Sequence, residues 1–107
     1  MSTENKKLIA EFMELSRQLH LYEHPLTGEY VDPESLNYDT DWNMLMPVVE
    51  KIESLGYAFI MDSAVRILDY RTNIKGDIKA FVTLMTDIKR IEATYKAVVE
   101  FIKWHQS

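Results

Sequence analysis

His20 and His24 stand four residues apart, the spacing at which two imidazoles on one helical face can grip a metal ion. Glu23 or Glu29 would then supply a third ligand. Pro25 opposes that geometry because its ring pushes His24 out of the helical region, and no HExxH sequence surrounds the pair. The expectation is two exposed histidines flanking a helix end, with no metal. Asp39 with Asp41, and Glu29 with Asp32, could hold a hard cation or work as acid and base. No EF-hand pattern surrounds Asp39, and Asp41 has a sufficient role as a helix cap. His105, near the C-terminus, is assigned no chemistry. Gly28, Gly56 and Gly76 are too scattered to cradle a phosphate, and no nucleophile elbow is present. Without cysteine there is no thiol nucleophile, Cys-based zinc site or disulfide framework, and a cytoplasmic setting fits best. These residues predict a protein that is not an enzyme and carries no cofactor.

The aromatic residues are a better lead. Tyr22, Tyr30, Tyr38 and Trp42 fall within one short stretch that also carries acids. Tyr and Trp combine contact area with a polar handle, which favours them at interface hot spots. The competing expectation is that they pin the stretch onto the core, just as the six methionines fill core gaps. Charge sharpens the picture. The net charge is -5, yet residues 18 to 50 hold seven acids and no Lys or Arg, whereas from Lys51 onward nine bases meet seven acids. Nucleic acid is an unsuitable partner for such a balance. The acidic middle either attracts a basic partner or is a solvated loop.

The elements that must position these groups fit one domain spanning residues 1–107. Leu8, Ile9, Phe12, Leu15 and Leu19 form a stripe that predicts a helix over 3–19. Turn formers crowd residues 20–41, which read as an ordered, acidic, Tyr-rich loop with a small hairpin around Thr27-Gly28 as an option. A second helix runs from Asp41 or Trp42 to Leu55, capped by Asp41 and ended by Gly56, with Pro47 bending its first turn or marking a later start. The period then drops to two, giving strands at 57–61 and 64–69 joined through Asp62-Ser63. Residues 78–86 fit either a helix or a third strand. The strand is favoured because two strands make a poor sheet for helices to cover. A final helix follows, capped by Thr86 or Asp87, with Ile88, Ile91, Tyr95, Val98, Val99 and Ile102 inward and Glu92, Lys96 and Glu100 outward. The fold class is α+β, a three-stranded antiparallel meander packed with three helices in the order α-loop-α-β-β-β-α, αβα sandwich-like. No apolar run is long enough to span a membrane.

The stretch from Thr40-Asp41-Trp42 through Met46-Pro47 to Ser54-Leu55-Gly56-Tyr57, with Ile91 to Trp104, resembles the phage ABA sandwich domain family of small phage and prophage proteins. The resemblance covers about residues 37 to 104. It implies a sheet between helical layers and a mobile-element origin, and it brings no catalytic residues.

The function expected is therefore that of a small non-enzymatic phage or mobile-element accessory protein. It would bind a host or phage protein through Tyr22, Tyr30, Tyr38 and Trp42. The alternative is sequestration of a nucleotide-type ligand, which needs Arg66, Arg71, Lys75 or Lys79 to converge on one pocket. Phe101 and Trp104 lie beside the main stripe of the last helix, where they either form a homodimer contact or pack under the first helix.

Overall fold

The first helix stops well short of the apolar stripe that predicts it. In the computed structural model, which describes residues 3–61, 64–69, 79–84 and 89–106, α1 covers Thr3–Phe12. Glu14 takes a left-handed backbone (φ 57°). Its N–H donates to the Glu11 carbonyl at 3.1 Å, and the Leu15 N–H reaches back to the Ala10 carbonyl at 3.1 Å. This paired closure is a Schellman motif. A glutamate holds the position where glycine is usual, so the sequence carries no flag for the stop.

The chain then builds a small sheet where a loop is expected. Strands β1 (Arg17–Gln18), β2 (Leu21–Glu23) and β3 (Tyr30–Val31) pair antiparallel in that order. Tyr22 lies opposite both Arg17 and Val31, and Glu23 lies opposite Tyr30. The β2–β3 loop is closed by the His24 N–H donating to Glu29 at 2.7 Å and the Gly28 N–H donating to His24 at 2.8 Å. Gly28 has φ 78°, which explains glycine there. Pro33–Ser35 follows as a short 3₁₀ helix.

Helix α2 (Trp42–Ser54) begins as its cap residue predicts, with Asp41 Oδ1 accepting from the Asn43 N–H at 2.9 Å. Pro47 lies inside an intact helix, where it forgoes one bond to the Asn43 carbonyl. Gly56 (φ 101°) ends it. The antiparallel meander follows as β4 (Ala58–Met61), β5 (Ala64–Asp69) and β6 (Lys79–Leu84). The segment that fits both helix and strand is thus a strand, with Lys79 through Leu84 paired along the whole of β5. Val65 and Ile67 are fully buried, and their β4 partners Met61 and Phe59 pack on the same core. The Asp62-Ser63 turn and the Thr86 or Asp87 cap lie outside the described residues.

Helix α3 (Arg90–Gln106) packs on β5 and β6 and meets both other helices. The three helices and the Val65/Ile67 face contribute to one hydrophobic cluster. Phe101 is buried edge-on to Tyr57 (4.7 Å between ring centroids) and to Phe12 (6.3 Å). Trp104 lies half-buried against Tyr57 and Phe101. Phe101 therefore packs against the last residue of α1, and Trp104 packs on Phe101 and Tyr57.

Candidate binding surface

The four aromatic residues separate into two pairs. Tyr22 and Tyr38 are 2% and 1% exposed and belong to the core, which corrects their expected place on a contact surface. Period-two alternation is the reason for Tyr22: it and its partner Val31 face inward. The Tyr22 hydroxyl donates to Glu11 Oε2 at 3.3 Å; burial, reinforced by that carboxylate, raises its pKa. Tyr38 has a buried hydroxyl with no hydrogen-bond partner among the described residues, and burial pushes its pKa well above 10.0. Tyr30 and Trp42 remain at the surface. Trp42 opens α2, one turn before the equally exposed Met46. Tyr30 lies beside Glu23 on the outer face of the small sheet.

That outer face carries more apolar surface than the tyrosine alone. Leu21 and Tyr30 line it, with Leu26 (55% exposed) in the β2–β3 loop at one end. At the other end is Leu19, 87% exposed, in the two-residue turn joining β1 to β2. Its φ of 55° is positive at the first turn position, where a type II′ hairpin favours glycine. Arg17 braces the turn: its Nε–H donates to the Leu19 carbonyl at 2.8 Å, and its guanidinium lies 5.5 Å from the Tyr22 ring centroid. A helical reading absorbs Leu19 into the α1 stripe. Its backbone conformation alone reveals it as a tip.

The electrostatics around this face are one-sided. Lys6 reaches Asp39 at 3.5 Å, Lys7 reaches Glu4 at 3.4 Å, and Arg17 lies 3.9 Å from Glu11. Among the described residues, Glu23 and Glu29 have no basic partner. His20 approaches Asp32 at 3.7 Å beside an open cleft of about 300 Å³ lined by Thr3, Lys7, His20, Asp32, Pro33 and Glu34. Its two carboxylates oppose a phosphate. The two histidines do not share a helical face, since β2 runs extended between them and His24 Nδ1 accepts from the Leu26 N–H at 3.2 Å. Asp41 caps α2, and no group of three or more His, Asp or Glu able to hold a metal occurs among the described residues. Of the bases that a nucleotide pocket would need, Arg66 is half-buried on β5 opposite Val82, and Arg71 and Lys75 lie outside the described residues. Lys79 is placed only by its pairing with Asp69. No described helix is long and apolar enough to cross a membrane.

Compared with family models, curated proteins and solved structures, the chain matches none.

Proposed function

We propose that this chain is a small non-enzymatic binding protein that engages another protein through the outer face of its β1–β3 sheet. The observation that carries this reading is the exposed Tyr30 set between Leu26 and two carboxylates, Glu23 and Glu29, that no described base neutralises. An apolar strip with an aromatic anchor and a charged rim has the composition of a protein interface. Origin in a phage or mobile element is part of the proposal and rests on the resemblance of residues 37 to 104 alone. Native mass spectrometry of gently purified protein tests the reading. A retained protein partner, lost in Tyr30→Ala at unchanged Tm, supports it. A retained nucleotide mass instead points to sequestration, and an empty chain that also fails to cross-link to any protein overturns it.

A further inference from the structure

We infer that Leu19 is the anchor of this contact and that it enters an apolar pocket rimmed by Lys and Arg on a partner protein, an inference that rests on the protein-binding reading above. Holding a leucine in left-handed backbone is unfavourable, and glycine would meet the same turn without strain. The fold gains little packing in return, because the side chain is 87% exposed. The surroundings nevertheless hold it in place. Arg17 ties the Leu19 carbonyl to the Tyr22 ring, and Tyr22 is itself buried and bonded to Glu11 of α1. A tip fixed before contact loses less freedom on binding, so its apolar side chain converts more fully into affinity.

Charge selects the partner. The segment from Gln18 to Glu50 contains no Lys or Arg. Asp32 and Glu34 line the cleft that His20 shares, where Lys7 is paired with Glu4, and Glu23 and Glu29 lie along the sheet toward Leu26. Arg17, the nearest base, is engaged with the Leu19 carbonyl, Tyr22 and Glu11. This field repels nucleic acid and anionic lipid and attracts a basic protein rim. Leu19 then supplies the desolvated centre that such a rim encloses.

The test pans a displayed library of random peptides against the full chain and measures selected peptides on three variants. The proposal expects enriched peptides to pair Lys or Arg with bulky apolar residues. It also expects Leu19→Gly to weaken them at least about tenfold, the scale of one buried leucine. Tm of that variant should be equal to or above the parent's, because the strain is relieved. Arg17→Gln should weaken binding less, with faster hydrogen exchange at the tip. Neutral or acidic enriched peptides, or a Leu19→Gly variant that binds normally, overturn the proposal. If binding is lost instead in Trp42→Ala, the protein-binding reading stands and the Leu19 anchor falls. If no peptide is enriched, both fall.

Discussion

The Lys51 ammonium of α2 donates to the carbonyl of Phe12, the last residue of α1, and lies 4.7 Å from the centroid of the Phe12 ring. One side chain therefore places a cation at the negative end of a helix and over an aromatic face. It also approaches Glu14 at 3.4 Å, beside the Schellman closure. The N-terminal helix is tied at its stop to a residue far along the chain.

Replacing Lys51 should consequently loosen α1 more than a surface lysine would. Lys51→Met keeps the apolar stem and removes the donor, and a loss of about 1–2 kcal/mol is expected in chemical denaturation. Lys51→Arg should retain part of it. A Lys51→Met protein as stable as the parent would show that the Phe12 carbonyl is satisfied by water.

Glu14 should be improvable. Its positive φ favours glycine, and its side chain is 84% exposed, so the ion pair with Lys51 contributes little. Glu14→Gly is expected to raise stability by about 0.5–1 kcal/mol. A thermal melt showing a lower Tm would mean that the Glu14–Lys51 contact outweighs the backbone strain.

The hydroxyls of Tyr38 and Tyr95 are buried without hydrogen-bond partners among the described residues. Removing a buried unpaired polar group is neutral or favourable. Tyr38→Phe and Tyr95→Phe should each leave stability unchanged or raise it by up to about 1 kcal/mol. A loss beyond that size in equilibrium unfolding would reveal a bound water bridging the hydroxyl.

The same two residues predict alkaline sensitivity. Burial, with the Asp39 carboxylate adding to it, pushes the Tyr95 hydroxyl from 10.0 up to about 12, and burial alone moves Tyr38 further. Below pH 10 both remain protonated in the folded and unfolded chains, and their contribution to stability is fully present. Above it the unfolded chain releases protons that the folded chain keeps, so stability falls as pH rises through the folded values. The expected slope is at most about 1.4 kcal/mol per pH unit for each tyrosine. Near-ultraviolet titration should show these two ionising together with unfolding. Ionisation at ordinary pH in a folded chain would contradict their burial.

Much of the fold can be read along the chain because its signals are local. Asp41 caps the turn that follows it, Gly56 ends the same helix, and the drop to period two at Tyr57 announces the meander. The α3 stripe is equally self-contained: of the residues it predicts to face inward, Tyr95, Val98, Val99 and Ile102 are buried. Pro47 shows the limit of such reading: packing of Leu45, Val48 and Val49 into the core carries the helix past a residue whose local preference opposes it.

What the amino-acid order determined by itself was the α+β class, α2, the first two strands of the meander and the acidic bias of residues 18–50, each a matter of neighbouring residue types. Only the tertiary structure decided where α1 stops, because Glu14 has no special backbone freedom and the cation that closes the helix comes from Lys51. It also decided which tyrosines face water. Tyr22 and Tyr30 are chemically identical, and their places in a sheet paired across residues 17–31 send one into the core and leave the other outside. Leu19 changed role for the same reason: an apolar residue at helical spacing is core on a helix and a bare tip on a hairpin, and pairing between strands makes that choice.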